Sequence, residues 1–152
     1  MRKSIGIAVP VATLAALALL TACGSSDGTH PCTLKDAPAG IHVKVPPELA
    51  NRTADATLTA CWDDTCRKRT LRLRDSGPEE PATIWPGFAQ VPGLPGKPVR
   101  VTLEFKNQRG TTVLDKQTTV TPKPTYPNGR NCSPAGHQAR LTVTEQGTLI
   151  PR

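Results

Sequence analysis

The sequence predicts an all-β fold: a small single-domain antiparallel β-sandwich, immunoglobulin-like or transthyretin-like, behind a cleaved signal peptide. Three observations predict it. Short runs alternate apolar and polar residues with the period of a half-buried strand. Sixteen prolines and twelve glycines crowd the stretches between those runs, and after the N-terminus no segment carries a helical period. Beyond Cys23 the chain holds four cysteines, an even set that suits a small exported domain stapled by disulfides.

The first element is a targeting segment. Arg2 and Lys3 precede an apolar run over 5–20, and the small residues Thr21 and Ala22 follow, the charge, length and cleavage-site chemistry of a secretory signal. Leu20-Thr21-Ala22-Cys23 resembles the lipobox of bacterial lipoproteins, in which the cysteine is alkylated by a diacylglyceryl group and becomes the new N-terminus. The resemblance implies lipid attachment at Cys23 and a location on the extracytoplasmic face of the cell membrane; two acyl chains hold a protein on a bilayer where one does not. Gly6 and Pro10 interrupt the run, and no basic flank follows it, which argues against an uncleaved span. The expected organisation is a signal peptide over 1–22, the lipidated cysteine and a flexible tether over 23–38, and a β-sandwich over 39–152.

Within that domain the first strand is expected over 41–45 and a hairpin over 55–74. In the hairpin, Cys61-Trp62-Asp63-Asp64-Thr65-Cys66 places a two-residue turn at Asp63-Asp64, so that Cys61 faces Cys66 at a non-hydrogen-bonded site, where Cα atoms stand about 4.5 Å apart. The same register puts Ala56, Leu58, Leu71 and Leu73 on one face and Thr57, Thr59, Lys68 and Thr70 on the other. Residues 98–106 give the cleanest strand signal, Val99, Val101, Leu103 and Phe105 alternating with Arg100, Thr102 and Glu104. Residues 107–110 then read as a turn, 111–121 as the returning strand, and Ala139, Leu141 and Val143 as the inward face of another. Gln146-Gly147 turns a last hairpin into Leu149 and Ile150. The proline- and glycine-rich stretches 77–98 and 122–136 read as long surface connections.

Four cysteines allow three pairings. With Cys61 joined to Cys66, Cys32 pairs with Cys132, closing most of the domain into one loop worth about 4–5 kcal/mol in the chain-entropy model. A zinc site is disfavoured: the spacing is not C-x2-C, and His30, His42 and His137 do not stand at ligand spacing from one another. Adjacent Asp63 and Asp64 lack the oxygen count of a calcium loop. No cofactor and no metal are expected.

The net charge is +7, and Arg67, Lys68, Arg69, Arg72 and Arg74 place five cations in eight residues. Export and strand alternation argue against nucleic acid as the partner. A solvated strand face explains the run, and the functional reading is contact with anionic phospholipid or an anionic wall polymer. Trp62 and Trp85 are candidate partner contacts, with the alternative that they cap the ends of a core poor in aromatic side chains. Neither an H-E-x-x-H pair nor a Walker-type glycine run occurs, and no base is recognised beside a nucleophile, so the chain reads as a non-enzyme.

The mature chain also resembles a group of small lipoproteins of actinobacteria such as Streptomyces. The shared features are the Cys61–Cys66 hairpin, Pro95-Gly96-Lys97-Pro98-Val99, and a late Cys132 followed by Gln138-Ala139-Arg140-Leu141. The resemblance implies a β-sandwich at the envelope without an assigned reaction. The expected role is a non-catalytic binding or scaffolding module tethered to the outer face of the cytoplasmic membrane, its partner an envelope protein or anionic wall polymer. The alternatives are a structural accessory subunit of an envelope complex and a small extracytoplasmic hydrolase.

Overall fold

Strict alternation builds the first sheet. In a computed structural model that describes residues 31–74 and 84–152, β6 (Val99–Lys106) buries Val99, Val101, Leu103 and Phe105 and turns Arg100, Thr102, Glu104 and Lys106 outward. It pairs antiparallel with β2 (Asp55–Trp62) on one side and β7 (Thr112–Val120) on the other, and β3 (Thr65–Thr70) completes the four-stranded order β3-β2-β6-β7. The turn into β7 is made by Asn107, whose Oδ1 accepts the backbone N–H groups of Arg109 and Thr111 at 2.9 and 3.0 Å, and by Gly110 at φ 77°. The expected signal segment, Cys23 and the connection 75–83, with its Asp75, Glu79 and Glu80, lie outside the described residues.

The second sheet has six strands: β1 (Gly40–Val45), β4 (Arg72–Leu73), β5 (Trp85–Gln90), β8 (Lys123–Thr125), β9 (Gly136–Val143) and β10 (Leu149–Pro151). Their order is β10-β9-β1-β5-β4, with β8 also paired to β9. Both sheets turn apolar side chains inward. Ile41, Val43, Val45, Ala139, Leu141 and Val143 from one meet Leu58, Ala60, Val101, Leu103 and Phe105 from the other, all within 4 % of full burial. Each large side chain removed from water here stabilises the fold by about 1.5–3 kcal/mol. Among the described residues no polar or charged side chain is buried, so the core carries no desolvated polar group to offset that gain.

Within this two-sheet architecture one strand pair departs from the antiparallel expectation: β1 and β9 run parallel, Gly40 opposite Gln138 and Lys44 opposite Thr142. The Cys32–Cys132 disulfide accords with that direction. It joins the segments that lead into β1 and β9, so both strands leave from the same end of the sandwich.

The other departures have local causes. The expected hairpin 55–74 breaks at Leu71, whose N–H still bonds the carbonyl of Ala56 in the four-stranded sheet while Arg72 and Leu73 already pair with β5 in the other. The stretch 77–98, read as a surface connection, contributes β5, an interior strand, and buries Val91 and Leu94. Pro86 is tolerated in β5 because its carbonyl accepts the N–H of Arg74 at 3.0 Å and the donor it lacks falls where β4 ends. Likewise 122–136 supplies β8, whose Pro124 sits on an outer strand. A single helical turn, α1 (Pro47–Ala50), follows β1, with Leu49 and Ala50 buried.

Candidate functional site

Both expected disulfides are present. Cys61 faces Cys66 with Cα atoms 4.1 Å apart, and Cys32 joins Cys132 at 5.8 Å. The N–H of Leu71 bonds to the oxygen of Ala56, and counting along the register from that pair makes Cys61–Cys66 a non-hydrogen-bonded site. The tip of this hairpin is fixed twice more. Asp63 takes the positive φ of 50° that the tight turn requires, and its carboxylate receives Lys97 Nζ at 2.6 Å. Residues leading from Cys32 toward β1 are held on the 125–138 region. Thr33 and the backbone N–H of Lys35 donate to Asn128 Oδ1, Asn128 Nδ2 donates to the oxygen of Lys35, and Gln138 Nε2 donates to that of Pro38. Cys23 lies outside the described residues.

The run of five cations is divided among three surfaces, because alternation continues through β3 while the chain changes sheets at Leu71. Lys68 points outward from the four-stranded sheet and lies 3.7 Å from Glu104. Arg67 and Arg69 stand opposite Ala60 and Leu58, on the core-facing side of an edge strand, and bend outward. The Arg67 guanidinium lies 5.9 Å from the centre of the half-buried Trp62 ring. Arg69 Nε donates to the oxygen of Gln90 at 3.1 Å and Nη1 to that of Lys68 at 2.9 Å, tying β3 to β5 before β4 begins. Arg72 and Arg74 emerge on the outer face of the six-stranded sheet. Both are exposed, and among the described residues neither has an ion-pair partner. Trp62 and Trp85 are each half-buried and pack against the core.

Arg72 and Arg74 join cations that sequence reasoning did not single out. Arg72 lies opposite Phe88, Phe88 opposite His42, and His42 opposite Arg140, one cross-strand row over four strands. Lys44 and Lys123 flank the row on the same face. The six strands of this sheet contain no Asp or Glu. Cross-strand neighbours on one face have Cβ atoms about 5 Å apart, so these side chains form one surface. The signal was present in the sequence: His42, Lys44, Gln138 and Arg140 are the polar members of two strands legible from alternation.

Two rings occupy the middle of the row. Gly40 lacks the side chain that would stand beside Phe88, and a Cβ built there would come within 2.4 Å of Phe88 Cζ; the ring therefore lies over the β1 backbone. His42 packs on it, with centroids 4.6 Å apart and planes at 42°. Gln138 fixes the imidazole. Its amide nitrogen is spent on Pro38, so its oxygen faces His42 Nε2 at 3.2 Å, and that nitrogen must donate. Arg69, Arg72, Arg74, His42, Phe88 and Gln90 line an open cleft of about 770 Å³ around the β4 edge.

Among the described residues no group of three His, Cys, Asp or Glu gathers as metal ligands. The letters of the G-x-S-x-G nucleophile motif do occur, at Gly24-Ser25-Ser26-Asp27-Gly28, directly after Cys23 and outside the described residues. That motif works on a strand-to-helix turn, whereas here its letters follow the apolar run over 5–20 and Cys23 in the sequence. Compared with protein-family models, with curated proteins and with solved structures, the chain finds no match in any of the three.

Proposed function

We propose that this chain is a non-catalytic binding module, held on the outer face of the cytoplasmic membrane by lipid on Cys23, that engages an anionic polymer of the cell envelope. The observation that carries the reading is the outward face of the six-stranded sheet: Lys44, Arg72, Arg74, Lys123 and Arg140 with no acidic residue in its strands. A surface of one sign draws a polyanion from solution and holds it at many points, each weak and each screened by salt. The lipobox and the two disulfides support an extracytoplasmic setting, as does the resemblance to small actinobacterial lipoproteins. A polymer fits this face better than a bilayer does. The cleft is an open hollow and its phenylalanine leans over the β1 backbone at Gly40, while membrane-docking surfaces project apolar side chains outward.

The test is cosedimentation of the mature protein with bacterial walls, intact or stripped of anionic polymer, over a salt series, with anionic phospholipid vesicles run in parallel. Expected are binding to intact walls that falls as salt rises and little binding to stripped walls. Equal binding to both wall preparations, or preference for the vesicles, overturns the polymer assignment. Intact mass of membrane-extracted protein checks the tether: two acyl chains on Cys23 are expected, and an unmodified Cys23 removes it.

A further inference from the structure

We propose that the cleft beside Phe88 is a subsite for one acidic sugar unit, the anionic group on Arg72 and Arg74 and the apolar face of the sugar on the phenyl ring. The inference rests on the polymer-binding reading above and names the unit recognised. A surface that answered only to charge would need cations alone. This one holds an aromatic ring in a fixed pose at its centre.

The pose follows from three contacts. Gly40 makes room for the ring over the β1 backbone, His42 packs against it, and Gln138 holds His42 in place. The ring is half-buried rather than buried, and its remaining surface lines the cleft. Sugars present C–H groups on one face of the pyranose and hydroxyls at its rim, so a flat, immobilised ring with polar neighbours matches them. Those neighbours are the exposed Thr70 and Gln90.

The cations divide their work. Arg69 spends Nε and Nη1 on backbone oxygens and holds the cleft wall. Arg72 lies directly opposite Phe88, Arg74 is two residues further along the same face, and neither has a carboxylate partner among the described residues. A guanidinium takes a carboxylate or a phosphate in the same two-pronged geometry, so either acidic group satisfies the site.

The experiment is calorimetric titration of the mature protein with an oligogalacturonate, with inorganic polyphosphate and with a neutral oligosaccharide. The proteins compared are the unaltered one, Phe88→Leu, Phe88→Tyr and Arg72→Gln combined with Arg74→Gln. The leucine keeps bulk over Gly40 while removing the π face, and the tyrosine keeps both, so a folding defect is separated from lost stacking. Expected are oligogalacturonate affinity lowered about three- to tenfold by Phe88→Leu and kept by Phe88→Tyr, with polyphosphate binding unchanged by either. The double arginine variant lowers affinity for both anions about tenfold or more. If Phe88→Leu changes neither anion, or both equally, the sugar subsite is overturned while the polymer-binding reading stands. Failure of the unaltered protein to bind either anion overturns both.

Discussion

The two sheets bury similar inward faces and present opposite outward ones. On the four-stranded sheet, Glu104 lies 2.9 Å from Lys106 and 3.7 Å from Lys68, and Asp115 stands opposite Glu104, so charges of both signs sit side by side. That surface neutralises itself. On the six-stranded sheet, cations and two rings share a face whose strands carry no acid. Folding demands only that the outward face be polar, and a mixture of charges meets that demand with less self-repulsion. The difference is what supports the proposal that the partner surface lies on the sheet where charge is left unbalanced.

The sheets also differ in how they are stapled, and this gives the largest expected effect. Cys32–Cys132 spans 100 residues and joins the segments that lead into the parallel pair of the six-stranded sheet, whereas Cys61–Cys66 spans 5 and closes one hairpin of the other. Replacing Cys32 and Cys132 by Ala is expected to cost about 4–5 kcal/mol of unfolding free energy in denaturant, and replacing Cys61 and Cys66 about 2 kcal/mol. Equal losses would mean that loop closure is not what the long staple supplies. Binding should separate them too: at temperatures where both variants stay folded, the hairpin variant keeps its anion affinity.

A smaller effect isolates the cationic face. Gly40→Ala places a Cβ 2.4 Å from both the backbone oxygen of Ala89 and Phe88 Cζ, so the ring must leave the sheet and the β1–β5 ladder must shift. The expected cost is about 1–3 kcal/mol, with loss of the Phe88-dependent part of oligogalacturonate binding. A variant of unaltered stability and affinity would show that the ring is not held where the glycine allows.

What the sequence made legible was what alternation and cysteine spacing encode. Residues 98–106 became β6, and Cys61 met Cys66, because one face of each strand is buried and a one-residue slip would expose it. β5 was hidden by its own composition: Pro86 and Gly87 belong to a proline- and glycine-rich stretch that reads as a surface connection, yet Gly87 leaves room for Leu71 and Leu73 from the crossing chain, and Pro86 loses only a donor beyond the reach of β4. Losing β5 meant losing Phe88, and with it the cleft. The basic run was visible as composition, but its division at Leu71 depends on a change of sheet, a tertiary event with no local signature.

The smallest effect tests the balanced face. The hydrogen bond and charge of Lys106, helped by Lys68, hold the Glu104 carboxyl below the usual carboxylate range against a modest desolvation, and Glu104 in turn raises Lys106. A carboxyl whose folded pKa is lowered stabilises the fold at pH values above its unfolded pKa, and that contribution is lost as pH falls through the folded one. For Lys106 the sense is reversed: its share is present below the ordinary lysine pKa and is lost as pH rises through the raised one. The stability difference between the unaltered protein and Glu104→Gln should therefore be level from about pH 6 to pH 9, shrink toward zero in acid, and shrink in high salt. Denaturant midpoints across that range measure it. A difference that grows in acid would place the Glu104 pKa above its unfolded value and break the picture of a self-neutralised face. Oligogalacturonate affinity should not change in this variant, because removing one carboxylate from the four-stranded sheet leaves Arg72, Arg74 and Phe88, on the outer face of the six-stranded sheet, untouched.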